Sequence, residues 1–103
     1  MITLTQEIAP EIQDFLKALA SETRQRILLL FADGRERTVG QVAEEAGVGQ
    51  STASEHLSTL RRGGLLQARR EQKEVYYSPD GARIRRHLMT LNDLLLRCCP
   101  PGR

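Results

Sequence analysis

Tryptophan is absent, and only two Phe and two Tyr supply aromatic rings. A core with so few rings has to rest on aliphatic side chains. Cysteine occurs twice, at the adjacent positions Cys98 and Cys99. Neighbouring cysteines cannot staple distant segments, which excludes the disulfide framework of a small secreted domain. The longest apolar run, Ile27 to Ala32, is far short of the ~20 residues a bilayer span needs. Met1 to Glu7 has neither a basic start nor an apolar stretch, so no export signal is legible and a cytoplasmic protein is expected. Histidine is scarce as well: His56 and His87 are alone, on different predicted helices. No nucleophile–His–acid set, metal-hydrolase spacing or Gly-rich phosphate loop accompanies them, so neither an enzyme nor a required cofactor is expected.

The chain that remains is ordinary in size and balance. Its 103 residues fit one domain, 1–103, and 27% charged with 40% hydrophobic residues describes a globular protein. Net charge is only +2, but it is unevenly spread. Met1 to Glu55 holds five basic and nine acidic residues, net −4, whereas His56 to Arg103 holds ten and four, net +6. Thirteen of the fifteen cations are arginine, whose planar fork suits phosphates and guanine edges. The second half therefore points to a polyanion, although a solvated charged face has the same composition.

Periodicity places the elements. Ile8, Ile12, Phe15, Leu16 and Leu19 line one face of a helix beginning near Ala9, with Pro10 in its first turn. Ser21 caps a second helix with Ile27, Leu30 and Phe31 inward, ended by Asp33-Gly34. Thr38-Val39-Gly40-Gln41 is a capping box opening a third, whose inner face is Val39, Val42, Ala43 and Ala46. After Gly47-Val48-Gly49 a fourth runs from Gln50 to Arg62, with Ala53, Leu57 and Leu60 inward. Two β-prone runs follow, Leu65 to Arg70 and Glu74 to Ser78, joined through Glu71-Gln72-Lys73. Asp80 then caps a last helix with Ile84, Leu88, Leu91 and Leu95 on one face, stopped by Pro100-Pro101. The order α-α-α-α-β-β-α is a mainly α, winged helix-turn-helix pattern with a two-stranded wing. Apolar stripes on both terminal helices exceed what the middle of so small a domain can cover, so a homodimer is expected.

If Gln50 opens the fourth helix, then Gln50, Ser51, Ser54, Glu55 and Ser58 lie away from the Ala53-Leu57-Leu60 stripe. Such short polar side chains let a helix enter a major groove ~12 Å wide. Gln50 can bond an adenine edge at two points, and Ser51, Thr52 and Ser54 can reach bases or phosphates. Ser51 and Ser54 have a plainer alternative as capping residues. Arg69, Arg70 and Lys73 on the hairpin would contact phosphates whatever the sequence. Glu55 either accepts from cytosine N4 or points to solvent.

Phe15 to Leu28 resembles the opening signature of the ArsR/SmtB family of bacterial winged-helix repressors. Val42 to Leu65, with its Gln50-Ser51-Thr52-Ala53-Ser54-Glu55-His56-Leu57 core, resembles that family's helix-turn-helix almost throughout. Arg69-Arg70 and Val75-Tyr76-Tyr77 resemble its wing. The resemblance implies a homodimer paired through its first and last helices that represses transcription until an effector releases it from double-stranded operator DNA. It also places His56 at a DNA contact, against the alternative of a half-buried histidine bracing the helix. Two departures stand out: an acid at Glu55, and no glycine at the hairpin tip.

Family members often sense metals, and their ligand positions can be checked here. The thiol pair of the third helix falls on Thr38 and Gly40, which removes that site. The zinc-type site of the last helix meets Asp80, His87 and Asp93 at unsuitable spacings, and His87 reads as a polar residue on an exposed or interfacial face. Cys98 and Cys99 remain. The resemblance implies As(III) or Sb(III) as effector, since the family includes sensors that bind them through cysteines at positions including the end of the last helix. Soft thiolates suit such ions, with a third thiolate from the partner or a small thiol, or the ion held by two. A redox switch is the rival reading, and two inert residues at a helix end the plain one. A protein-docking winged helix is the alternative at the level of function.

Overall fold

Pro10 opens the first helix, α1 (Pro10–Leu19), where its missing N–H costs nothing and its fixed φ already suits the helix. The computed structural model describes residues 8–102; Met1 to Glu7, read above for an export signal, and Arg103 lie outside the described residues. Ile12, Phe15 and Ala18 of α1 are buried, while Leu16 is exposed. Ser21 caps α2 (Glu22–Leu30), its hydroxyl accepting from the Arg24 N–H at 3.2 Å. That helix stops at Leu30, and Phe31 enters the core from a short 3-10 turn, Phe31–Asp33, closed by Gly34. At α3 (Val39–Ala46) the capping box forms as its residue types dictate: Thr38 Oγ1 accepts from the Gln41 N–H, and Gln41 Oε1 from the Thr38 N–H. Gly47 ends α3, and α4 (Gln50–Arg62) starts three residues on.

The hairpin pairs β1 (Leu66–Glu71) with β2 (Glu74–Pro79), antiparallel, from Leu66 opposite Pro79 to Glu71 opposite Glu74. Leu65, expected in the first strand, instead donates its N–H to Leu60 O and closes α4. Gln72 takes the positive φ of 57° that the two-residue connection needs. A single-residue bridge, not expected from the sequence, flanks β2: Arg37 and Tyr77 exchange both backbone bonds, at 3.0 and 2.8 Å. Asp80 caps α5 (Gly81–Cys98), accepting from the Arg83 N–H at 3.2 Å.

Phe15, Ile27, Phe31, Val42, Leu57, Leu60 and Leu66 form the centre, all but sealed from solvent. The aliphatic core that scarce aromatics required is present, with one ring each from α1, the 3-10 turn and β2: Phe15, Phe31 and Tyr77. One expectation about α5 needs correction. His87 is not on an exposed face: it is buried, its ring 5.1 Å from the Phe15 ring. Leu88 and Leu95, on the stripe expected to exceed what so small a domain can cover, are about half exposed. The reason is rotational: α5 meets α1 through the row containing Ile84 and His87, which turns the leucine row away from this chain's core. Much of α5 consequently projects, and the radius of gyration, 16.1 Å, exceeds the ~13 Å of a compact 100-residue domain.

Candidate nucleic-acid interface

The two-faced character of α4 organises the surface around it. Ala53, Leu57 and Leu60 are completely buried, which locks the helix rotation. Gln50, Ser51, Thr52, Ser54, Glu55 and Ser58 are all exposed on what is left. The helix is capped by Gly49 with no side-chain bond, so Ser51 and Ser54 are not occupied as caps. Glu55 points to solvent beside them. Thr59 is committed locally, its hydroxyl donating to Glu55 O at 3.0 Å.

His56 sits differently from its neighbours. It is half-buried, and its Nδ1 lies 3.4 Å from Arg24 Nη1. A guanidinium only donates, so this contact is a bond only with Nδ1 accepting and the ring proton on Nε2. The same Arg24 donates from Nε to Ala18 O and from Nη2 to Lys17 O, both at 2.9 Å. One side chain thus closes the last carbonyls of α1 and touches α4, joining three helices. Arg24 was legible only as part of the opening signature, not as a structural bracket.

The wing divides its cations. Arg70 and Lys73 are exposed. Arg69, expected beside them as a phosphate contact, is exposed too but is also paired: Nε and Nη2 each donate to Glu36 at 2.7 Å, and Nη1 to Glu71 at 2.6 Å. Its guanidinium also lies 4.7 Å from the Tyr76 ring centroid. Hydrogen bonding to Arg69 holds the Glu36 carboxyl below the usual carboxylate range. Lys73, Glu74 and Val75 face Thr38, Val39, Gly40 and Gln50 across an open cleft of about 340 Å³. The N-terminus of α3 therefore opens onto the same cleft as Gln50 and the wing tip.

Cys98 and Cys99 lie apart from this face, at the exposed end of α5. Their sulfurs are 2.8 Å apart, and Cys98 also contacts Leu95 O at 3.4 Å. The bond from Cys99, then desolvation, pushes the Cys98 thiol above its ordinary value. Among the described residues no group of three or more His, Cys, Asp or Glu could hold a metal ion, and no helix is long and apolar enough to cross a membrane.

The helix-turn-helix domain family matches residues 19–67. The transcriptional activator HlyU of Vibrio cholerae is 35% identical over 79 residues, 77% of this chain and 72% of the relative. A homodimeric winged helix-turn-helix DNA-binding domain from Mycobacterium bovis, a possible ArsR-family regulator, superposes with a TM-score of 0.67 at 34% identity, covering 90% of this chain and 84% of that one. A possible transcriptional regulator for arsenical resistance superposes equally well, TM-score 0.67, at 30% identity over 81% and 84% of the two chains. Recognition face, wing and kinship agree: the chain belongs to the ArsR family of winged helix-turn-helix, DNA-binding transcriptional regulators.

Proposed function

We propose that this protein is a single winged-helix unit, acting as a homodimeric repressor that leaves its operator when Cys98 and Cys99 capture a trivalent metalloid. What carries the DNA reading is the locked rotation of α4, with three sealed apolar residues behind a row of short polar ones. In the major groove Gln50 takes an adenine edge, Ser51, Thr52 and Ser54 take bases or phosphates, and Glu55 accepts from cytosine N4. His56 supports α4 from the side and reaches the backbone with its free ring edge. Arg70 and Lys73 hold phosphates across the minor groove. Two such units related by a two-fold axis fit half-sites about one helical turn apart, and a dimer seated on a promoter occludes it.

The effector reading is supported by two exposed thiols already side by side. Arsenous acid exchanges two hydroxyls for two sulfurs: two As–O bonds break, two As–S bonds form, and each thiol proton leaves with a hydroxide as water. No electron is transferred. A third thiol, from the partner or a small molecule, displaces the last hydroxyl. An ion that favours the unbound form ~100-fold shifts the DNA equilibrium by about 2.7 kcal/mol, enough for release.

Binding to an operator selected from a random duplex pool, followed by fluorescence anisotropy, tests both parts. Gln50→Ala and Ser54→Ala are expected to weaken specific binding by on the order of 1–3 kcal/mol and to relax base preference. Early salt elution from heparin, with no operator selected, would favour a protein-docking module. Arsenite should release the wild type but not the Cys98→Ser, Cys99→Ser double variant, with both binding equally in its absence. Release by peroxide alone, reversed by a reductant, would reassign the pair to redox sensing. No effect of either reagent would leave the cysteines as packing residues.

A further inference from the structure

The geometry around Arg69 points to a different job from the one its place on the wing suggests. We propose that Arg69 is a positioning residue: with Glu36 and Tyr76 it forms a brace across the outer face of the wing that sets the hairpin's angle to α4. The proposal rests on the reading above that the wing meets DNA.

Register supplies the argument. Arg69 on β1 stands opposite Tyr76 on β2, and the bridge segment lies beyond β2, with Arg37 paired to Tyr77. Alternation puts Tyr77 on the core face and Tyr76, Arg69 and Glu71 on the outer one. Glu36 precedes Arg37 and shares that outer face. Arg69 therefore spans β2, passing over the Tyr76 ring to reach Glu36 on the bridge segment beyond it. Glu36 is a firm anchor, because Arg37 beside it is buried, doubly bonded to β2 through its backbone, and clasped by Asp33 and Glu45.

Charge argues against a phosphate role. Arg69 is one cation between two carboxylates, Glu36 and Glu71, so the cluster is net negative. A phosphate would have to displace a two-pronged carboxylate grip and approach a second acid. Leu66, Ala68, Val75 and Tyr77 fix the inner face of the hairpin to the core, whereas on its outer face cross-strand pairs alone leave a two-stranded ribbon free to twist. Lysine could keep the charge here but not the planar fork that grips Glu36 while lying over the ring.

Operator affinity measured as a function of salt separates the roles. Arg70→Ala and Lys73→Ala are expected to flatten the salt slope by about one each, as lost phosphate contacts do. Arg69→Met, Arg69→Lys and Glu36→Gln should each weaken binding about two- to fivefold, the range of a partly exposed pair, with the salt slope unchanged. The Glu36→Gln, Arg69→Met double variant should be no weaker than either single one. Hydrogen exchange of the Val75 to Ser78 amides should rise in the same variants while that of α4 stays constant. If Arg69→Met flattens the slope and Arg69→Lys restores it, or if Glu36→Gln tightens binding, Arg69 is a phosphate contact and the brace is wrong. Unchanged affinity in all three, with the Arg70 and Lys73 variants weakened, also overturns it. If the Arg70 and Lys73 variants show no change either, the failure lies with the wing's contact to DNA.

Discussion

Arg37 shows how far a single side chain can depart from what its type suggests. Arginine is rarely buried without partners, and here it has them on every side. Nε meets both oxygens of Glu45, Nη1 and Nη2 meet the two oxygens of Asp33, and the Phe31 ring centroid lies 5.6 Å from the guanidinium carbon. Hydrogen bonding to Arg37 draws the Asp33 carboxyl well below its ordinary value of 3.8. The depressed value means that the folded form binds this proton less readily than the unfolded chain does. Asp33 thus contributes stability that is complete above pH 3.8 and is lost as pH falls through the lowered folded value. Asp33→Asn is expected to be less stable than the wild type at neutral pH, with the gap narrowing in acid. Urea unfolding of both proteins across that range checks it, and a gap independent of pH would contradict the assignment. None of this was legible in Arg35-Glu36-Arg37, which reads as a charged loop.

Among the elements, those set by local chemistry were read most accurately. The α3 capping box and the bounds of α4 follow from residues a few positions apart, and both formed as expected. The wing was less sharply defined, since alternation alone does not say where pairing begins. Its tip carries Gln72 at a φ of 57°, a conformation that costs a side-chain-bearing residue about 1–2 kcal/mol. Gln72→Gly is expected to stabilise the protein by about 0.5–1 kcal/mol, after the entropy of the unfolded glycine is counted. Gln72→Val should move stability the other way. Thermal unfolding of the three proteins decides it, and a destabilised glycine variant would show that the tip is held by something besides its backbone.

For the whole molecule, the telling feature is α5. Leu88, Met89, Leu95 and Leu96 are each about half exposed or more, and Leu16 of α1 is exposed as well. An 18-residue helix is ~27 Å long, and this one outruns the core it starts on. Such apolar exposure on one helix is the mark of a face awaiting a partner. If the proposed homodimer pairs through this face, Leu95→Glu, which plants a charge in it, is expected to yield a folded monomer with much reduced operator affinity. Sedimentation velocity with anisotropy measures both. A Leu95→Glu dimer that binds as the wild type does would move the interface off α5.

The sequence by itself determined the order of elements, the cap that starts α3, the face of α4 that is left exposed and the family. These rest on interactions between residues close in the chain, or on which side chains avoid water. Only the tertiary structure decided that His87 is buried while Leu88 faces out, because that depends on how α5 is rotated against α1. It alone decided that Arg37 is buried and that Arg69 is paired, because Arg37 meets Glu45 only through the packing of α3 and Arg69 meets Glu36 only across the wing. Charge on a sequence is a sum, whereas charge on a surface depends on which carboxylate the fold carries to each arginine.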